Sequence, residues 1–428
     1  MKLFALKHAL LFVSLSLMLS GCSSIGKGIA EAILEKADEE DTRICQVSGK
    51  PFDGIAPHLE KSHSRTKLLM VHGVGDHLPG YSTQFLEKLA KELGVSDKIN
   101  HSKTIQLFSV LDPEKNLGQL RITRLQNAKE TKELWFYELT WSEITRAEKA
   151  LLNFDNSGVY SYRRAELNNI LKKFSNDTGP DPIIYLGKSR ESILMAFAQS
   201  FCWMGKARWQ DIPDDKREFC STEDNFNDET IKQDEFVYVS HSLGSRITID
   251  GLERLAEILQ QPEKYFAKKP EIIPSVTNAR KLFQDKDIQI FMLSNQLPML
   301  QLGREIPEAT NQESEYCLAN GVHYEARFVR KTSLIAFSDP NDILSYAIPN
   351  DFNKNYIDSR LCAKVTNVNI NIAKVHDLFG VGDFANPLTA HTDYDVDDRV
   401  IAMIAKGIGV KHTAPLVKQK CEWTEVID

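Results

Sequence analysis

The chain lacks most signals that assign a protein to a class at a glance. It has no internal repeat of about 20–50 residues, which excludes solenoids and propeller arrays. No basic stretch stands out, and 52 Lys and Arg against 59 Asp and Glu leave a formal charge of −7. Nucleic acid is therefore not an expected partner. No Cys-x-x-Cys pair occurs among the seven cysteines, so neither a zinc site nor a thioredoxin-like centre is suggested. There is no P-loop and no dinucleotide fingerprint, and no cofactor is expected. Glycine and proline number 22 and 16 in 428 residues, too few for a collagen-like or low-complexity chain. What is present, 42 % hydrophobic and 26 % charged residues, is globular composition with material for a large core.

Long apolar runs are also scarce. The stretch Ala9–Leu19 (ALLFVSLSLML) follows Lys2 and Lys7. It is shorter than the roughly 20 residues of a spanning helix and reads as the apolar part of a secretory signal, residues 1–21. It runs into Leu19-Ser20-Gly21-Cys22, which resembles the lipobox of bacterial lipoproteins. That resemblance implies cleavage before Cys22, lipid on Cys22, and a membrane partner held through those acyl chains. Ser23 in place of Asp favours the outer membrane by the same resemblance. An ordinary signal with an unanchored product is the alternative. Six cysteines then remain, at positions 45, 202, 220, 317, 362 and 421. An exported compartment permits disulfides, and the spacing of Cys202 and Cys220 suits a local staple. Six cysteines allow 15 pairings, and the sequence does not choose among them.

The rest of the chain alternates short apolar runs with helical patterns. Lys67–Val71, Gly118–Gln126, Leu134–Trp141, Phe236–Val239, Ile288–Leu293, Ser333–Phe337 and Val365–Ile370 read as strands. Glu143–Leu152, Ser192–Met204, Arg246–Leu259 and Val400–Ile408 read as helices. This predicts an α/β fold, a mostly parallel central sheet with helices on both faces, which binds ligands at the carboxyl ends of its strands. The boundaries drawn are an anchored segment and linker at 22–64, a main domain at 65–412 and a tail at 413–428. Residues 142–234 separate two strands by far more than a crossover needs, and are read as a largely helical cap.

One motif carries the chemistry. Ser240-His241-Ser242-Leu243-Gly244 lies between an apolar strand and an amphipathic helix. A nucleophile elbow needs that strand–turn–helix context, with small residues two before and two after the serine. Ser240 replaces the usual glycine at the first of those positions. Here the chain resembles the α/β-hydrolase superfamily, specifically its lipase- and esterase-like members, over roughly Lys67–Gly409. The resemblance implies Ser242 as nucleophile and backbone N–H donors from Val74, after His72-Gly73, and from Leu243. It implies an acid after the Ser333–Phe337 strand and a histidine near the last helix. His391 fits the histidine, with His376 as competitor. Asp342 fits the acid better than Asp339, because an aliphatic residue, Leu344, follows it by two. His72 reads as structural, and His241 should point away from the nucleophile and make a poor base.

The implied activity is cleavage of carboxylic esters, with lipid or acyl esters as substrate, through a Ser-His-Asp triad and an acyl-enzyme. The alternative is an inactive surface protein that retains the fold as a binding or scaffold module. The acidic run Asp393, Asp395, Asp397 and Asp398 offers oxygens to a calcium ion, but acids at a helix start serve capping and the dipole. No metal is assigned there or to Asp76 and His77. Asn295–Leu300 follows a strand end and offers pocket-lining candidates.

Overall fold

The computed structural model describes residues 43–61, 64–97, 102–109, 112–220, 228–268, 270–377 and 383–424. The expected signal at residues 1–21, Cys22 and most of the segment assigned to an anchor and linker lie outside the described residues.

The sheet grows from period-two alternation. In β2 (Thr66–Val71), Leu69 and Val71 point to one core, while Leu68 and Met70 point to another. In β7 (Glu235–His241), Phe236 and Tyr238 join the first core, and Val237 and Val239 the second. Strands buried on both faces read as continuous apolar runs, which is why both were legible. Around them run β1 (Cys45–Ser48), β3 (Ser102–Phe108), β4 (Asn116–Gln126), β5 (Glu133–Thr140), β6 (Lys216–Arg217), β8 (Asp287–Leu293), β9 (Lys331–Ser338), β10 (Ala363–Ile370) and β13 (Cys421–Trp423). A separate two-stranded ribbon joins β11 (Val375–Asp377) to β12 (Asp383–Ala385).

The eleven-stranded sheet has the order β13-β1-β10-β9-β8-β7-β2-β5-β4-β3-β6. The six central strands, β10 to β5, are mutually parallel. β4 runs antiparallel to both its neighbours, and β1 runs antiparallel to β10. The expected mostly parallel α/β sheet is therefore present. Helices α1 (Thr83–Leu93) and α9 (Asp398–Lys406) cover one face, packed against each other. Helices α5 (Arg190–Met204), α6 (Leu243–Gln260) and α7 (Ile273–Phe283) cover the other.

Three boundaries fall differently from the sequence reading. The segment assigned to a linker contributes β1, and the segment assigned to a tail contributes β13, which pairs with β1 in register at Cys45 and Cys421. A disulfide joins those two residues. The stretch 142–234 also divides. Its helix α5 buries Ile193, Phe197, Phe201 and Trp203 in the core and packs on α6, β4 and β5. It is thus the helix of the crossover that leads from β5 to β7. Of the rest, α2 (Glu143–Lys149) packs on β4 and puts Ile144 in the main core, α4 (Pro180–Leu186) adds the buried Tyr185, β6 joins the sheet edge, and a 3-10 turn (Ala150–Asn156) and α3 (Glu166–Thr178) lead from α2 to α4. Cys202 pairs with Cys220 and Cys317 with Cys362, so all six cysteines are bridged.

Candidate active site

Ser242 stands between β7 and α6 at φ +53° and ψ −124°. A non-glycine residue at positive φ is strained, and such strain persists only when the surroundings impose it. Here the Ser242 N–H donates to the Leu293 carbonyl of β8 at 2.9 Å, and the helix begins at the next residue. The two small positions do what an elbow asks. A Cβ on Gly244 would lie 2.3 Å from the Val71 carbonyl oxygen, so only glycine lets α6 start this close to β2. Ser240 is fully buried, and its hydroxyl finds Ser245 Oγ at 3.4 Å. Its extra oxygen is therefore accommodated. Gly73 matters for the same reason as Gly244: a Cβ there would meet Ser242 Cβ at 2.7 Å.

The candidate acid and the candidate base meet. Asp342 follows β9, and His391 sits on α8 (Pro387–Thr392), a short helix opened by Pro387 and capped by Asn386, whose side chain accepts from Leu388 N and Thr389 N. His391 Nδ1 lies 3.0 Å and 3.1 Å from the two carboxylate oxygens of Asp342. Asp342 also accepts from Leu344 N at 3.0 Å and from Ser294 Oγ at 2.6 Å. Burial pushes its carboxyl up, but His391, Ser294 and the Leu344 N–H together outweigh that and hold it below the ordinary value. The competing acid, Asp339, does other work. Its carboxylate accepts from Asn341 N and from the Ile372 and Ala373 N–H groups beyond β10. It is a turn and anchor residue, not a partner of His391. The competing histidine, His376, lies on β11, paired with Phe384.

No hydrogen bond joins Ser242 Oγ to His391; the hydroxyl is buried and has no hydrogen-bond partner among the described residues. Such contacts are often long until a substrate tightens them. His241 differs from expectation. Its ring lies 5.2 Å from that of His391, and its Nε2–H donates to the His391 carbonyl at 2.8 Å. It props the backbone of His391, a contact the sequence did not suggest. Burial, with His391 alongside, pushes its pKa down to about 3, so it is neutral.

On the other side of Ser242 lies the loop after β2. His72 stacks on Trp141, with Nδ1 2.8 Å from the Gly73 carbonyl and Nε2 accepting from Trp141 N at 3.1 Å. Both ring nitrogens are used, and burial holds its pKa well below the ordinary value, so its role is structural. Val74 packs on the main core, and its carbonyl accepts from His77 Nε2 at 3.1 Å. Gly75 N donates to Asp181 Oδ2 at 2.7 Å. Lys149 links Asp181, Asp177 and Asp76 at 3.4, 3.4 and 2.7 Å. Leu243 is the first residue of α6, where helix N–H groups have no partner within the helix.

Two members of the acidic run sit at the start of α9, and the other two, Asp393 and Asp395, lie in the 3-10 turn before it. Asp397 caps α9 through Arg399 N and Val400 N, and Asp398 pairs with Lys88. Among the described residues no cluster of three or more His, Cys, Asp or Glu is arranged to hold a metal. Asn295 is buried and fastens the acid loop, donating to the Tyr346 carbonyl and accepting from Tyr346 N, both at 2.7 Å. Leu297 belongs to the core.

Sequence reasoning missed Ser294, Asp181 and the support given by His241. Each acts across a long sequence separation, and only the position of Ser294 at a strand end could have drawn attention to it. A scan against protein-family models and searches of curated proteins and of solved structures find no match to this chain.

Proposed function

We propose that the chain is a serine hydrolase of the α/β-hydrolase type that cleaves carboxylic esters, with lipid or acyl esters as substrate. Ser242 is the nucleophile, His391 the base and Asp342 the acid. The observation that carries this reading is the convergence of three strand ends: a serine at φ +53° after β7, and an Asp342–His391 pair at 3.0 Å supplied from beyond β9 and β10.

A serine hydroxyl is a weak nucleophile at neutral pH. His391 Nε2 takes its proton during attack on the ester carbonyl and returns it to the leaving alcohol. Asp342, bonded to Nδ1, selects the tautomer with Nε2 free and stabilises the imidazolium. The Val74 and Leu243 N–H groups receive the developing oxyanion; one such donor contributes about 2.7–4 kcal/mol in comparable enzymes. Water then cleaves the acyl-enzyme. Apolar side chains on the same loops support an acyl substrate: Leu78 is 72 % exposed and Ile343 75 % exposed.

We further propose export of the chain and lipidation at Cys22, with the outer membrane as the favoured site. Among the described residues no helix is long and apolar enough to cross a membrane. A clickable palmitate analogue should label the wild type and not Cys22→Ala.

One observation favours the second reading, a binding module without activity: Ser242 is 0 % exposed and unbonded to His391. A fluorophosphonate probe separates the two. Labelling that is lost in Ser242→Ala supports the hydrolase. No labelling of folded protein, with and without detergent, sinks it.

A further inference from the structure

Beyond the three residues of a triad, the acid–base pair has a fourth member. β8 ends at Leu293, and the next residue, Ser294, is fully buried at φ +48°. Its hydroxyl lies 2.6 Å from Asp342 Oδ2 and 2.9 Å from His391 Nδ1. A hydroxyl carries one hydrogen and two acceptor sites. Asp342 lies below the ordinary carboxyl value, so it is ionised near neutrality and can only accept. The Ser294 hydrogen therefore goes to Asp342, and its oxygen is left to accept from His391 Nδ1–H. The Nδ1 hydrogen then faces three acceptors, two on Asp342 and one on Ser294, and none of them can donate back to it.

The backbone argues the same way. Positive φ suits glycine and strains serine. Ser294 is held there by its neighbours: the Leu293 carbonyl accepts from Ser242 N, and Asn295 N donates to the Phe337 carbonyl of β9. The segment thus ties the nucleophile's turn to the acid's strand, and the side chain at its centre touches both acid and base.

We propose that Ser294 is a positioning residue, which locks the Asp342 carboxylate in place and commits His391 to the Nδ1–H tautomer, leaving Nε2 free for Ser242. This rests on the reading of Ser242, Asp342 and His391 given above, and it is tested by two measurements, one of which does not depend on activity.

Ser294→Gly removes the hydroxyl and relieves the positive φ; Ser294→Ala removes the hydroxyl and keeps the strain. The first measurement is ester hydrolysis by the full chain. Both variants should lose about ten- to a hundredfold in kcat, the equivalent of one hydrogen bond to a charged group, with KM unchanged. The melting temperature of Ser294→Gly should be no lower than that of the wild type. The second is the downfield proton resonance of His391 Nδ1–H, identified by its absence in His391→Ala. It should be present in the wild type and shifted or exchange-broadened in Ser294→Gly. Wild-type kcat together with an unchanged resonance in Ser294→Gly would overturn the proposal. If the wild type hydrolyses no ester, the hydrolase reading fails, and the resonance alone still decides whether Ser294 positions the pair. If Ser294→Ala does not fold, Ser294→Gly carries the test.

Discussion

The two sides of Ser242 are built differently. The acid–base side hangs from the sheet. Asp342 is fixed by Ser294 at the end of β8, by its own loop through Leu344 N, and by His391 on α8. On the other side, the loop after β2 meets the sheet at both ends: His72 stacks on Trp141 and accepts its N–H just past β5, and Glu138 of β5 accepts from Gly80 N at 2.6 Å. Between these points, Gly75 and Asp76 are held by Asp181 of α4 and by Lys149 of α2. Those helices are anchored in the main core by Ile144 and Tyr185, and the stretch they belong to exposes Leu151, Phe154, Val159, Tyr162 and Ile183. The proposed proton transfer is thus assigned to a part of the fold tied directly to strand ends. The loop that carries Val74 is held in part by two helices, through the Gly75–Asp181 hydrogen bond and the Lys149–Asp76 ion pair.

The largest effect should come from the residue the two sides share. Ser242→Ala should remove ester hydrolysis by about 10⁶-fold, as loss of the nucleophile does in comparable triads. Far-ultraviolet circular dichroism should be unchanged. Measurable residual turnover with a similar KM would move the nucleophile elsewhere and dissolve the comparison.

Next is the acid–base side. Asp342→Asn leaves the geometry intact but spoils tautomer control, which should cost kcat about 10⁴-fold. Asp339→Asn should leave kcat within a few-fold and lower stability instead, because its carboxylate holds Ile372 N and Ala373 N. Loss of a buried acceptor of that kind costs about 1–3 kcal/mol by urea denaturation. An equal loss of kcat in both variants would mean that the acid has been misassigned.

On the oxyanion side, Asp181→Ala removes the acceptor of Gly75 N. The expected loss is about ten- to a hundredfold in kcat, smaller than removal of a donor, because Asp181 positions the loop without touching the oxyanion. The His391 Nδ1–H resonance should not move. If it does, the two sides are coupled.

The pH dependence of stability has opposite signs on the two sides. Asp342 lies below its ordinary value of 3.8, so the stability it contributes is present above the unfolded value and lost as pH falls through the folded one. Asp181 is raised above 3.8 by burial, which Gly75 N and Lys149 only partly offset. Its contribution therefore favours the fold at low pH and is lost as pH rises from 3.8 through the folded value. Urea titrations between pH 3 and 6 should show the two slopes separately in Asp342→Asn and Asp181→Asn. Slopes altered in the same direction would reject this assignment.

How much of this was legible from the residues follows the same division. The central strands were readable because burial on both faces makes them continuous apolar runs, as in FVYV of β7. The strand–turn–helix at Ser242 and the Asp342–His391 pairing were anticipated because each candidate comes after such strands in chain order. β1 and β13 were not, since four- and three-residue strands carry no pattern; they pair because the fold brings together residues 376 apart. β3 (SKTIQLF) lies one strand in from the edge and buries only Ile105 and Leu107, too few for a continuous apolar run. Ser294 and Asp181 bond partners 48 and 106 residues away. No local spacing encodes contacts of that range, so a seemingly incidental serine and a helix aspartate gave no sign of their roles.

The smallest expected effect concerns the exposed apolar side chains that flank the site, one on each side. Leu78 follows the oxyanion loop, and Ile343 follows Asp342 directly. Neither is buried, so Leu78→Ser and Ile343→Ser should change stability by no more than about 0.5 kcal/mol. If these side chains meet the acyl chain, each substitution should cost a few-fold in kcat/KM on long-chain esters and little on acetate esters, since a lost apolar contact is worth about 1 kcal/mol per buried methylene or less. A ratio of long- to short-chain activity that changes with Ile343→Ser alone would place the acyl chain along the rigid side. A change with Leu78→Ser alone would place it along the loop held by α2 and α4, where its arrival could alter the position of Val74. No change in either ratio would remove both residues from the substrate's path and leave the apolar surface of the outer helices as the place to look.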